Sequence, residues 1–256
     1  MASPIRQIRD SIQRVGITKT VLKVVGRPFE LIRRKIAVSK ILSLPTPEER
    51  FTWIWRINYW RSKESVSGTG STLGYTANLR DKLPSLFGKH GIKSVFDAPC
   101  GDFNWMRELT RTLDIDYTGA DIVGPLIDSL NKQHGGPRKK FIHLDLTSGS
   151  LPKADLMICR DCLFHLSYAD TRAVLENFVS SGTPYILTTT HKDDGTFTNF
   201  DIKTGFYRRI NLFAPPYSLP TATLARIEDW VAPDPEREMC LWSREQITNA
   251  LEGSNW

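Results

Sequence analysis

The stretch Ser94-Val-Phe-Asp-Ala-Pro-Cys-Gly-Asp-Phe-Asn-Trp105 decides how the chain is read. Val95 and Phe96 are strand formers, and they follow the turn signal Lys89-His-Gly-Ile92. The apolar run stops at Asp97, and a helical pattern starts near Asn104 with Trp105, Met106 and Leu109. A short buried strand, a tight turn and a helix start, in that order, make a nucleotide-type pocket. Gly101 has no Cβ, so the backbone can come close to a ligand there. The helix start offers unpaired N–H groups to polar ligand atoms. A carboxylate at the strand end, Asp97, opposes phosphate and suits a ligand carrying amino or hydroxyl groups.

Downstream the same pattern recurs. Asp116-Tyr-Thr-Gly-Ala-Asp-Ile122 reads as a second strand ending at Asp121, and Lys140-Phe-Ile-His-Leu-Asp145 as a third ending at Asp145. Ala154-Asp-Leu-Met-Ile-Cys159 reads as a fourth, followed by Arg160-Asp161, and residues 185–190 as a fifth with His191 at its rim. Strands alternating with helical stretches predict a parallel sheet, whose strand ends share one ligand-binding rim. Asp121 lies 24 residues beyond Asp97, near the ~20-residue spacing at which an acidic residue accepts ribose hydroxyls. That spacing separates nucleosides from other ligands only, and a turn aspartate after a strand is the plain alternative. Gly-x-Gly-x-x-Gly is absent, which disfavours a nicotinamide dehydrogenase.

Asp97-Ala-Pro-Cys-Gly101 resembles the first motif of class I S-adenosylmethionine-dependent methyltransferases. The departure is Phe103, where that family often has its last glycine. The resemblance covers roughly residues 60 to 250. It is nearest to a group of microbial methyltransferases that also carry Ser-Gly-x-Gly-Ser-Thr upstream and Cys-Arg-Asp-Cys-Leu downstream, here residues 67–72 and 159–163. It implies an α/β fold: a doubly wound, Rossmann-like, seven-stranded, mostly parallel sheet. Residues 224–231 and 238–242 would form its antiparallel C-terminal pair. It implies S-adenosyl-L-methionine as cofactor, held by Asp97, Ala98, Pro99, Cys100, Gly101, Asp121, Ile122, Asp145, Leu146 and Arg160. Asp145 would stand by the adenine amino group, with Leu146 as the adjacent contact. It also implies that Arg160-Asp-Cys-Leu-Phe-His-Leu166 is where the methyl group meets its acceptor.

For an acceptor hydroxyl, the proton has three candidate takers: His165, Asp161 and His191. A lone histidine is often structural, so His165 keeps both readings. Cys159 and Cys162 have C-x-x-C spacing, but a zinc or redox site needs a second pair or a thioredoxin-like context, and neither appears. No metal is expected. Ser65-Val-Ser-Gly-Thr-Gly-Ser-Thr72 is a hydroxyl-rich loop without the lysine of a P-loop. The resemblance implies a lid over the cofactor; composition alone allows a mobile linker. Ala214-Pro-Pro-Tyr217 lacks the polar first residue of the motif in amino-methylating nucleic-acid enzymes, and is read as a loop lining the acceptor pocket.

Thr46-Pro47-Glu48-Glu49 reads as a capping box. The helix it opens carries Phe51, Trp53, Ile54, Trp55, Ile57, Tyr59 and Trp60 all around, which predicts burial between two surfaces, as core or as an aromatic substrate wall. Residues 1–62 are expected to form a basic, helical N-terminal extension and residues 63–256 the methyltransferase domain. Ser3-Pro4 opens one helical stretch and Phe29 to Leu44 a second. Residues 1–45 hold ten basic against two acidic residues, a balance of +8, so the net charge of +6 leaves −2 on the rest. The arm suits peripheral contact with an anionic membrane, or plain packing on its own domain or a second copy.

No apolar run reaches the ~18 residues of a membrane span. Four cysteines, Cys100, Cys159, Cys162 and Cys240, are too few for a disulfide framework, which favours a reducing, cytoplasmic setting with peripheral membrane contact as an option. The expected function is O-methylation of a small-molecule or glycan hydroxyl. An RNA methyltransferase, favoured by the basic arm and opposed by the −2 remainder, and a non-catalytic cofactor-binding module are the alternatives.

Overall fold

The structure is a computed structural model that describes residues 35–253. The helical stretch expected from Ser3-Pro4 lies outside the described residues. The chain divides into two compact units after Thr46. In the first, residues 35–43 are helical. The second, from Pro47, holds the sheet and also α1 (Pro47–Arg56).

Seven strands form one sheet: β1 (Ser94–Asp97), β2 (Asp116–Asp121), β3 (Lys139–His143), β4 (Leu156–Cys159), β5 (Tyr185–His191), β6 (Ala225–Glu228) and β7 (Arg237–Ser243). Their order is β3-β2-β1-β4-β5-β7-β6. The first five run parallel, and β7 pairs antiparallel with both β5 and β6. This is the expected Rossmann-like sheet with its antiparallel C-terminal pair.

Successive side chains on a strand point to opposite faces, so each strand feeds two cores. Val95, Leu156, Ile158, Leu187, Met239 and Leu241 enter one cluster. Phe96, Met157, Cys159, Ile186, Cys240 and Trp242 enter the other. The first core is covered by α2 (Ala77–His90), α3 (Met106–Thr112) and α4 (Gly124–His134), the second by α5 (Tyr168–Ser180) and α6 (Arg244–Glu252). β4 is buried along its whole length, as a central parallel strand with helices on both faces must be. Edge strand β3 exposes Lys140 and His143 and keeps Lys139 half-exposed, charges that discourage pairing with another chain.

Local signals set several boundaries. Ser167 caps α5 by accepting from the Asp170 N–H, and Ser243 with Gln246 forms a capping box on α6. Gly91, at φ 63°, ends α2 in the left-handed conformation. Two expectations need correction. β3 ends at His143, so Asp145 stands two residues past the strand, in the turn that follows. The aromatic helix is not buried between surfaces: in α1 only Arg50 and Ile54 are buried, and Ile57 and Trp60 just beyond it are exposed. Apolar residues all round did not mean core, because part of that ring faces the site described next.

The chain leaves β1 toward β2 and β3 on one side and returns through β4 and β5 on the other. The switch point therefore lies at the C-terminal ends of β1 and β4, where open α/β sheets bind ligands.

Candidate active site

Asp97 ends β1 at the switch point with only 2% of its surface exposed. The Tyr117 hydroxyl donates to its Oδ2 at 2.6 Å. Burial pushes the Asp97 carboxyl up to about 7, against the pull of that hydrogen bond and of Arg160. Asp121 ends the neighbouring strand. Its Oδ2 accepts the Gly101 N–H at 3.2 Å and its Oδ1 the Val123 N–H at 3.0 Å. Burial raises it to about 6, partly offset by those two amides. Asp121 thus ties the β1 turn to the start of α4.

The β1 turn is itself tightly held. Ala98 N–H donates to the Ile158 carbonyl and Cys100 N–H to the Ala120 carbonyl. Ala98 and Cys100 are buried and Pro99 is half-buried. Gly101 has φ 52°, and a Cβ there would lie 2.2 Å from Ser67 Oγ. Phe103 has φ 60°, the conformation that suits the glycine the resembling family places here. Its ring is wholly buried against Tyr117, Phe141 and His134 at 4.9, 5.0 and 5.5 Å. That burial compensates the backbone strain and explains how phenylalanine stands where glycine is usual.

Loop 65–72 lies across this turn. Asp102 accepts from the Val66 N–H at 2.8 Å and the Ser65 hydroxyl at 3.0 Å, and donates its own N–H to Ser67 Oγ at 2.9 Å. Asn104 donates to the Ser71 carbonyl and to Glu64. Further along, a Cβ on Gly70 would meet Asp161 Oδ2 at 3.0 Å and Arg237 Nη2 at 3.1 Å. The loop therefore spans from the β1 turn to the end of β4, pinned by side-chain bonds that a free linker would lack.

At the end of β4, half-buried Asp161 belongs to a charged quartet with buried Arg160, Asp229 and Arg237. Arg160 grips Asp229 through Nε at 2.8 Å and Nη2 at 2.9 Å, and its Nη1 approaches Asp161 at 3.3 Å. Arg237 Nη2 donates to Asp161 Oδ2 at 2.9 Å. Asp161 sits at φ 52°. Burial alone would raise its carboxyl, but the Arg160 and Arg237 guanidiniums outweigh burial and hold it below its ordinary value. A carboxylate so paired is a poor proton acceptor.

The two histidines differ in which nitrogen is available. His165 ends a short 3₁₀ turn, Leu163–His165, and its Nδ1 lies 2.6 Å from the Phe206 carbonyl. A carbonyl only accepts, so Nδ1 carries the proton and Nε2 keeps its lone pair. Burial lowers the His165 pKa, partly offset by Phe206 and Asp161. His191, at the end of β5, is 1% exposed. Its Nδ1 accepts from the Ile210 N–H at 3.3 Å, so Nε2 holds the proton and faces the Tyr207 hydroxyl at 3.4 Å. Burial and Arg237 depress His191 to about 4. Phe51, Trp60, Phe164 and Tyr207 surround the His165 ring at 6.4, 6.2, 4.7 and 5.9 Å.

The remaining expected residues are less central. Asp145 Oδ1 accepts the N–H and hydroxyl of Thr147, closing the turn after β3. Leu146 is buried, its carbonyl bonded to Asn177. The Ile122 carbonyl lies 3.0 Å from His143 Nε2. Tyr217, expected with Ala214-Pro-Pro on the acceptor pocket wall, is wholly buried, its hydroxyl accepting from Arg208 Nη2 at 2.6 Å. All four cysteines are unpaired, and among the described residues no group of three or more His, Cys, Asp or Glu is placed to hold a metal. A groove of about 510 Å³ lined by Tyr185, Ser243 and Arg244 sits at the other end of β5, away from the acidic rim.

Sequence reasoning missed Asp102, Phe206, Tyr207, Asp229 and Arg237. Arg237 stands opposite His191 in the antiparallel register, a pairing across 46 residues that no local motif announces. Asp102 alone carried a signal, since it lies inside the quoted motif stretch.

Solved structures share this architecture. Magnesium protoporphyrin IX methyltransferase from Synechocystis PCC 6803, with bound S-adenosylhomocysteine, is 14% identical with a TM-score of 0.53, over 75% of this chain and 93% of that one. 1,6-Didemethyltoxoflavin-N1-methyltransferase from Burkholderia thailandensis is 16% identical with a TM-score of 0.56, over 78% and 91%. An S-adenosylmethionine-dependent methyltransferase from Leishmania major is 17% identical with a TM-score of 0.56, over 78% and 87%. No family model and no curated protein matches the chain. What these identities establish is the fold: a seven-stranded, Rossmann-like sheet of the kind these methyltransferases have.

Proposed function

We propose that the chain is an S-adenosylmethionine-dependent methyltransferase acting on a hydroxyl of a small molecule or glycan. The observation that carries this reading is the pair Asp97 and Asp121, both buried at adjacent strand ends beside the switch point, with the hydroxyl-rich loop 65–72 crossing the same turn. Asp121 fits a ribose. Its two oxygens each accept one backbone N–H, which leaves acceptor capacity for hydroxyl donors. Such donors would also offset the burial that raises its pKa. The proposed cofactor set is Asp97, Ala98, Pro99, Cys100, Gly101, Asp121, Ile122, Asp145 and Leu146, with Arg160 supporting the β4 end through Asp229. When bound, the cofactor supplies an activated methyl group on a sulfonium.

The chain's own work is positioning and proton removal. His165 is the proposed base. Its Nδ1–H is held by the Phe206 carbonyl, which aims Nε2 and fixes the tautomer. Asp161 is tied up by two guanidiniums, and protonating His191 at Nδ1 would cost its bond from Ile210. Loop 65–72 is the proposed lid. The basic stretch 1–45 is proposed as a membrane contact; deleting it should lower binding to anionic vesicles and leave cofactor affinity intact.

The test is S-adenosylhomocysteine formation from S-adenosylmethionine with a panel of hydroxyl acceptors. His165→Ala should retain cofactor affinity and lose most turnover, while His191→Ala should lose less. Cofactor binding with no turnover on any acceptor would favour a non-catalytic module, and full turnover in His165→Ala would remove the base assignment.

A further inference from the structure

The groups around His165 select one kind of acceptor. Four aromatic side chains reach its ring from three separate segments: Phe51 and Trp60 from and just after α1, Phe164 from the same 3₁₀ turn, and Tyr207 from the chain between β5 and β6. Two of them are not core residues, since Trp60 is 36% and Tyr207 53% exposed. Both are nonetheless placed by their neighbours. A Cβ on Gly68 would lie 3.3 Å from Trp60 Cβ, so the proposed lid backs the indole. The Tyr207 hydroxyl faces His191 Nε2.

Three polar side chains beside this ring are paired within the protein. Asp161 is bound by Arg160, Arg237 and Thr189. Both His191 nitrogens face partners, Ile210 and Tyr207. The Thr189 hydroxyl is shared between Asp161 and Met239. The surface nearest the His165 ring is dominated by aromatic faces, with Arg237 Nε and the Tyr75 hydroxyl buried behind Asp161 without hydrogen-bond partners among the described residues. Each hydroxyl of a polyhydroxylated ligand that met only these aromatic faces would lack a partner, and each unpaired hydroxyl weakens binding. A flat ring bearing one hydroxyl would leave none unpaired and would meet the aromatic faces in stacked or edge contact.

We infer that the acceptor, under the methyltransferase reading on which this inference rests, is an aromatic hydroxyl of the phenol class that stacks on Trp60 and Tyr207 and presents its oxygen to His165 Nε2. Of the two acceptor classes proposed above, this selects the small molecule over the glycan.

The experiment uses 2-naphthol and methyl α-D-glucopyranoside as probes, each titrated calorimetrically into the full chain saturated with S-adenosylhomocysteine. 2-Naphthol should bind, and Trp60→Ala and Tyr207→Ala should each weaken it by about tenfold. Tyr207→Phe, which keeps the ring, should bind as the parent does. The glucopyranoside should give no heat. Binding of the glucopyranoside without 2-naphthol, binding of neither, or 2-naphthol binding indifferent to both alanine variants overturns the inference and leaves the methyltransferase reading standing. A chain that does not bind S-adenosylhomocysteine at all overturns both. Circular dichroism of the variants, altered at exposed positions, checks that they fold.

Discussion

Replacing Gly101 by alanine tests how the hydroxyl-rich loop is held on the β1 turn. Two costs can be read from the structure. The first is backbone: Gly101 has φ 52°, and a non-glycine residue in the left-handed region costs roughly 1–2 kcal/mol. The second is steric: the new Cβ would lie 2.2 Å from Ser67 Oγ and 2.9 Å from Ser67 Cβ, so Ser67 must move. Moving it breaks the bond from the Asp102 N–H to Ser67 Oγ, 2.9 Å long, which is worth about 0.5–1.5 kcal/mol. Gly101→Ala should therefore lose about 1.5–3.5 kcal/mol of stability, measured by urea unfolding at constant slope. In a Ser67→Gly background the obstruction is gone, and the same change should cost only the backbone part, about 1–2 kcal/mol. Equal losses in both backgrounds would refute the close contact, and a loss under about 0.5 kcal/mol in the Ser67→Gly background would refute the backbone cost.

Three further outcomes are expected. Asp97 has its carboxyl raised from 3.8 to about 7, so between those values the folded chain keeps a proton the unfolded chain has lost, and stability falls as pH rises through that window. Asp97→Asn removes this loss. It should be more stable than the parent at pH 8 by on the order of 2–4 kcal/mol and no different near pH 4, with equal stability at pH 8 counting against the buried-acid picture. Turnover that depends on His165 should stay level down to the ordinary histidine value of 6.5, because burial lowers its pKa, and fall only at lower pH; a loss that begins above 6.5 would show a raised pKa or a different base. Phe103→Gly relieves about 1–2 kcal/mol of strain but forfeits about 3–5 kcal/mol of buried aromatic packing, so its melting temperature should drop, and a rise would mean that the φ 60° strain dominates.

The parts of this fold that were legible in the sequence are those set by local chemistry. Asp97 and Asp121 close apolar runs, and both prove to be the last residues of their strands. The capping bonds of Ser167 and Ser243 likewise join each cap to a residue three positions on, a local pattern. Asp145 was placed on a strand that in fact stops at His143, because the apolar Leu144 extends the pattern after the pairing with β2 has ended. α1 was misjudged for a related reason: periodicity reports how many faces are apolar, not whether they meet core or a site. The surroundings of His165 were illegible. Phe206 lies 41 residues away and reaches the ring only because the chain after β5 folds back over the β4 turn. The pairing of Asp161 with Arg237 spans 76 residues and depends on strand order, which no single stretch encodes.

The central claim is that the rim formed by Asp97 and Asp121 holds an adenosyl cofactor. Calorimetric titration of S-adenosylhomocysteine into the full chain, with NAD as the control nucleotide, tests it most directly. Saturable binding of S-adenosylhomocysteine is expected, with none of NAD, and a loss of about 1–3 kcal/mol in Asp121→Ala, the penalty of leaving ribose hydroxyls unpaired. Absence of S-adenosylhomocysteine binding in the folded protein, or an affinity unchanged in Asp121→Ala, would contradict it.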